Sequence, residues 1–178
     1  MRNVKYIYLL HSHGESFEIS LHLFCFLIIY GSYMTNSLQT LLYSEIPLTK
    51  TIGICVEQYD KNALTLSAPL ENNINHKNTA FGGSLYCVSV LSGWGLVHML
   101  LKEQGLSGHI VIQESNTQFI KPVTGEIFAR SAFNSDEQIN SFVKMFKRKG
   151  IARIELDAVV SCDLEICVKF HGKYVVHT

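Results

Sequence analysis

The sequence lacks a charge of one sign: fifteen basic residues stand against fifteen acidic ones in 178, for a formal net charge of +0 with histidine neutral. No overall field therefore recruits nucleic acid or an anionic membrane, and only local patches could do so. Charge of either sign is sparse, at 17% of residues against 47% apolar. That balance excludes a disordered chain and leaves one domain of ordinary size with enough apolar side chains for a core. Also missing is any Cys-x-x-Cys pair among Cys25, Cys55, Cys87, Cys162 and Cys167. An odd, scattered set excludes a disulfide framework and fits reduced thiols in the cytoplasm. No internal repeat, low-complexity tract or second domain is visible.

The first thirty-odd residues differ in character from the rest. Ile19 to Tyr30 is apolar for about twelve positions, short of the roughly twenty that a membrane span requires, so no stable membrane insertion is expected. The segment also reads as a poor signal peptide, with Glu15 and Glu18 just ahead of that run and no clean small-x-small cleavage site after it. Met34 follows, in front of a credible helix start. Residues 1–33 thus read as an extension upstream of the true start, with a membrane-associating or partner-docking arm as the rival, and 34–178 as the domain. His11-Ser12-His13 lacks the third ligand that a metal site needs.

What is present centres on Asn72 to Ser84 and the apolar segment that continues to about Gln104. A polar loop with three asparagines and His76 leads through Gly82-Gly83 into a run whose apolar residues occur all the way round: Leu85, Val88, Leu91, Trp94, Val97, Leu101. Such a helix must be enclosed. Lys102 and Gly105 supply its stop signals. Ser89, Ser92, Gly93 and Gly95 permit close packing, which explains mid-helix glycines costing about 1 kcal/mol each relative to alanine. Cys87 reads as a small apolar filler and His98 as a core or rim histidine. The glycines let backbone approach a ligand, and the first turn of the helix leaves unpaired, partly positive N–H groups. An oxyanion or thioester carbonyl would be held there. The plainer reading is a tight turn before a core helix.

Around this segment the expected order is a short helix, Ser37 to Ser44, capped by Thr35 or Asn36 and ended by Pro47. A hairpin follows, Thr51 to Tyr59 and Ala63 to Ala68. After the central helix come a long strand His109 to Ile120, a strand Glu126 to Phe133 and a helix Asp136 to Lys147, with Ile139, Phe142, Val143 and Phe146 on one face. Strands Gly150 to Ser161 and Glu165 to Val176 complete the chain. In the first of the long strands the face that begins with Ile110 and Ile112 turns polar at Glu114, Asn116 and Gln118, an odd pattern for a strand covering only a core. Lys144, Lys147, Arg148 and Lys149 read as a solvated helix end favoured by the dipole, with a weaker alternative as a docking patch for an acidic carrier protein or CoA phosphates. The fold class is α+β, one antiparallel sheet wrapping one hydrophobic helix.

Residues 73–86 (Asn-Ile-Asn-His-Lys-Asn-Thr-Ala-Phe-Gly-Gly-Ser-Leu-Tyr), Ser-Gly-Trp-Gly at 92–95, Ile-Val-Ile at 110–112 and Lys-Pro-Val-Thr-Gly at 121–125 together resemble the hotdog-fold thioesterase family. Its domain is also found fused behind an N-acetyltransferase domain in some bacteria. The resemblance covers about Leu38 to Val176. It implies a homodimer, or a dimer of dimers, with sheets joined edge to edge and acyl-thioester sites at the interface. It implies no cofactor, and substrates carried by CoA or acyl carrier protein (ACP). Some members are similar to malonyl-ACP decarboxylases that start fatty acid synthesis. By this likeness Asn75, His76 and the N–H of Gly83 become candidate catalytic groups, and Asn73, Phe81, Gly82, Ser84 and Lys121 candidates for holding substrate. A non-catalytic acyl-binding module is the alternative from another class.

One departure matters. Many hotdog thioesterases carry an acid in the central helix, and here Ser84 to Leu101 contains none. Glu114 is the nearest carboxylate by topology and the candidate base. If it faces away, decarboxylation, which needs no base, becomes the better reading.

Overall fold

The computed structural model describes residues 7–12, 15–162 and 165–178. His13 of the His-Ser-His run and residues 1–6 of the expected extension lie outside them. Among the described residues no cluster of three or more His, Cys, Asp or Glu could hold a metal ion.

Two short strands, β1 (Ile7–Ser12) and β2 (Glu15–Ser20), pair with each other and lead into α1 (Leu21–Glu45). This helix is much longer than the Ser37 start expected. Thr35 and Asn36 do not cap it. Thr35 Oγ1 donates instead to the Gly31 carbonyl at 3.2 Å, and Thr40 Oγ1 to that of Asn36 at 2.9 Å, the back-bonding by which a hydroxyl sits inside a helix. Met34, Leu38 and Leu42 recur at every fourth position and are buried, the stripe that fastens α1 to the domain.

Pro47 opens a helix as well as ending one. It stands at the first position of α2 (Pro47–Thr51), where its missing N–H costs nothing. The strand expected from Thr51 accordingly begins only at β3 (Cys55–Tyr59), after a turn at Gly53 with φ +72°. Buried Thr49 ties the corner, its hydroxyl 2.8 Å from the carbonyls of both Leu42 and Ile46. The remaining elements follow expectation closely: β4 (Ala63–Ala68), α3 (Gly82–Glu103), β5 (His109–Phe119), β6 (Ile127–Ala132), α4 (Asp136–Lys149), β7 (Ile151–Cys162) and β8 (Glu165–His177).

The six later strands form one antiparallel sheet in the order β3-β4-β6-β7-β8-β5. Ala152, Ile154, Leu156, Ala158 and Val160 of β7 alternate inward with Val168, Phe170 and Tyr174 of β8, all buried, as a half-covered strand requires. The sheet wraps α3, whose Val88, Leu96, Val97 and Met99 are inaccessible to solvent. By length and composition α3 could cross a membrane, yet 72% of its most apolar window is buried inside the domain. Gly105 at φ +62° closes it, as its sequence requires.

A bulge in β5 between Ile112 and Glu114 breaks the register with β8. Ahead of it Ile110 and Ile112 lean on α3; beyond it the inward face passes to Ser115, Thr117 and Phe119, opposite Gly172, Phe170 and Val168. Glu114, Asn116 and Gln118 are thereby turned to the outer face. The polar residues that looked odd on a core face are not on it.

Candidate active site

The asparagine loop is built by its own side chains. Asn73 is buried, and its side-chain amide N–H groups donate to the carbonyls of Ile52 at 2.8 Å and Pro69 at 2.7 Å, while its backbone carbonyl accepts from Phe81 N–H at 2.7 Å; its side-chain oxygen has no partner among the described residues. Asn75 Oδ1 accepts from the N–H groups of Lys77 at 2.7 Å and Thr79 at 3.3 Å, and Asn75 Nδ2 donates to Thr79 Oγ1 at 2.9 Å and the Ala80 carbonyl at 3.2 Å. These are asparagines turning a chain. Both fix where α3 starts; the Asn75 amide is wholly engaged within the loop. His76 stands exposed beside it.

At the start of α3 the first helical bond runs from Leu85 N–H to the Phe81 carbonyl at 3.0 Å, no side chain caps the end, and the first turn holds no acid. The N–H groups of Gly82, Gly83 and Ser84 are therefore the orphans of the helix, and they gather its positive end. The Phe81 ring lies over Gly83, where any Cβ would collide with it. Gly82 borders a groove of about 300 Å³ lined also by Leu85, Phe119, Ile120, Lys121 and Pro122. Phe81 and Phe119 are each 56% exposed at its mouth, which marks the site as open to a ligand or a second chain.

Of the residues the sequence nominated, Gly82 and Lys121 line this groove, Phe81 and Gly83 adjoin it, and Ser84 is buried in the same turn. Lys121 is held at the rim by Glu165, 2.7 Å away. Glu114 is not brought in. The bulge turns it to the outer face, where Lys173 binds it at 2.8 Å and holds its carboxyl below the usual carboxylate value. Sequence reasoning missed Leu85, Phe119 and Ile120, although an apolar pair at the end of a polar strand was the available sign. It also missed a pair of hydroxyls that joins the next turn of α3 to β5: Tyr86 Oη and Ser115 Oγ lie 2.9 Å apart, and on the same face of β5 as Ser115 the buried Thr117 Oγ1 has no partner among the described residues. A groove with donors at one end, apolar walls and no carboxylate in its lining can polarise a carbonyl and seat an acyl chain.

The domain family described as "Putative thioesterase (yiiD_Cterm)" matches residues 35–178. The chain belongs to this family. Among solved structures it is similar to a protein of unknown function from Chlorobaculum tepidum at 35% identity, covering 83% of this chain and 96% of that one with a TM-score of 0.79. A "putative thioesterase" from Shewanella oneidensis is 27% identical over 83% and 99% of the two chains, with a TM-score of 0.76. A Pseudomonas aeruginosa protein described as "Probable Thioesterase" shares the fold at 19% identity, over 80% and 95% of the chains, with a TM-score of 0.70. The helix wrapped by a six-stranded antiparallel sheet is the hotdog fold of these family members.

Proposed function

We propose that the groove at the start of α3 processes an acyl thioester carried by CoA or ACP. The observation that carries this is the uncapped Gly82–Ser84 turn opening onto an apolar groove. Attack on a thioester carbonyl places negative charge on its oxygen, and a fixed N–H at a helix start stabilises that charge without reorganising; one such donor is worth roughly 10²–10³ in rate. Hydrolysis is the activity that the family's description names. The enzyme works as a homodimer or dimer of dimers joined through β5, which is an edge strand with Val111 and Phe119 exposed along it. It works in the cytoplasm, as thiols without a disulfide among the described cysteines suit.

A second reading, decarboxylation of malonyl-ACP, is favoured by the carboxylate-free lining of the groove and by the outward position of Glu114. Loss of carbon dioxide builds the same charged oxygen and needs no base. Incubation of the purified protein with acyl-CoA, acyl-ACP and malonyl-ACP, following free thiol and carbon dioxide separately, decides between them. Thiol release supports hydrolysis, and acetyl-ACP formed without thiol release supports decarboxylation. No turnover on any thioester would leave an acyl-binding module and overturn the enzymatic reading.

A further inference from the structure

The cations of this neutral chain are not evenly spread. Lys144, Lys147, Arg148, Lys149 and Arg153 are all exposed within ten consecutive residues, and none is ion-paired among the described residues. Lys147, Arg148 and Lys149 end α4 and suit its dipole, and Lys144 stands one turn earlier on the same helix. Arg153 does not belong to that explanation, because it stands on β7, its guanidinium donating to Gln113 Oε1 at 3.2 Å.

Between α4 and β7 lies a groove of about 660 Å³ with Phe142, Met145 and Ile151 among its lining and Lys149 and Arg153 on its walls. Met145 is 37% and Ile151 38% exposed. The one carboxylate that lines it, Glu155, is taken by Lys173 at 3.3 Å, and Lys173 is bound on its other side by Glu114. The lining as a whole sets Lys149, Arg153 and Lys173 against Glu155, a net positive charge above an apolar surface. A solvated helix end explains the lysines but not the open methionine and isoleucine beneath them.

We infer that this groove docks an acidic amphipathic helix of the protein that carries the acyl group. The apolar side of such a helix fits the surface around Met145 and Ile151, and its carboxylates meet Lys149, Arg153 and Arg148. The inference rests on the thioester reading of the α3 groove. Because the whole chain is neutral and screening acts over about 8 Å at physiological salt, attraction is confined to this face and orients the partner there. Phe146 of α4 lies beside Gly108, at the far end of α3 from Gly82. In a two-fold dimer the same edge strand meets its copy antiparallel, so the His109 end of one β5 adjoins the Phe119 end of the other. A carrier seated on one protomer would then deliver to its partner's groove.

The test is titration of fluorescently labelled apo acyl carrier protein, which bears no thioester, with the full chain and with the triple variant Arg148→Glu, Lys149→Glu, Arg153→Glu. Wild type should bind in a salt-weakened manner, and the variant at least tenfold less tightly. With carrier and CoA thioesters of one acyl group, the ratio of their KM values should rise by a similar factor. Carrier binding insensitive to the triple change would overturn the inference. So would an equal rise in both KM values, which would mean a surface reading phosphate, or a change in oligomeric state by sedimentation, which would give the groove to a second copy. Binding lost in the variant with no thioester turned over by wild type would keep the docking surface and remove the thioester reading instead.

Discussion

The hydroxyl of Tyr174, a fully buried residue of β8, donates to the Val90 carbonyl of α3 at 2.8 Å, and its ring occupies the space that a side chain at Gly93 would need. Sheet and helix are thus joined by a polar bond at the point where the helix has no side chain. Burial, with the nearby Tyr86, pushes the Tyr174 hydroxyl far above its ordinary value, so it remains a donor throughout the working range of pH.

Gly93→Ala should therefore destabilise. The added methyl meets a ring with nowhere to go, an overpacking cost of about 1–3 kcal/mol, against about 1 kcal/mol returned by better helix propensity. Tyr174→Phe should lose about 1 kcal/mol with its hydrogen bond. In the double variant the clash with the hydroxyl is gone while those with the ring carbons Cζ at 2.6 Å and Cε2 at 2.8 Å remain, so the relief is partial and the combined loss should be somewhat smaller than the sum. Urea midpoints of the four proteins test this, and strict additivity would show that the two residues do not share the space.

Asn75→Ala should cost about 1–2 kcal/mol of stability, because three half-buried hydrogen bonds of the loop and one exposed one go with the amide and each is worth about 1 kcal/mol or less net. The loss should appear in the unfolding midpoint. An unaltered midpoint with abolished turnover would instead give the amide a direct part in the chemistry.

Helix α3 and the later strands could be read from the sequence because period and stop signals agree there: an all-round apolar run closed by Lys102 and Gly105, and alternation in β7. The start of α1 could not, since Thr35 bears a good cap residue's side chain and uses it to bond backward to Gly31. Pro47 carried two meanings, stop and start. The Glu114 misplacement had its sign in plain view. A face that turns from Ile110 and Ile112 to Glu114 and Asn116 is what a one-residue bulge writes into a sequence when a strict period of two is imposed on it. Tyr86 with Ser115, 29 positions apart, could be joined only by coordinates.

Glu114→Gln should leave kcat within about twofold of wild type if the groove lies where we place it, since the carboxylate faces the other side of the sheet. Its effect belongs to stability at low pH. The folded carboxyl is held below its ordinary value of 4.5, mainly by the hydrogen bond from Lys173. Its contribution is therefore full above pH 4.5 and lost as pH falls through the folded value. The variant should show a shallower loss of stability below pH 4.5. A hundredfold fall in kcat would return Glu114 to the reaction.

Gly82 and Gly83 should differ on substitution. A Cβ at Gly82 would meet only the Phe119 ring, at an ordinary contact distance of 3.6 Å, whereas one at Gly83 collides with the Phe81 ring. Gly82→Ala should thus fold normally and narrow the groove, raising KM for long acyl chains more than for acetyl. Gly83→Ala should push Phe81 outward and raise KM for every acyl length. Equal responses to the two changes would place the acyl chain elsewhere.

His98 stacks on Trp94, with centroids 5.4 Å apart and planes 8° from parallel, and borders a cleft of about 510 Å³ between α3 and α1. Burial holds its imidazole below the ordinary value of 6.5, and Lys102 pushes the same way. Between 6.5 and the folded value the unfolded chain binds the proton and the folded one does not, so stability rises with pH across that window. The contribution is full above pH 6.5 and lost as pH falls through the folded value. His98→Phe keeps a ring against Trp94 and removes the titrating site. Other groups titrate in both proteins, so the difference between their urea midpoints is the readout: it should be constant above pH 6.5 and move in favour of the variant below it. Parallel midpoints down to the acid limb would mean that the folded imidazole takes up its proton as readily as the unfolded one, and that the stack on Trp94 does not depend on its being neutral.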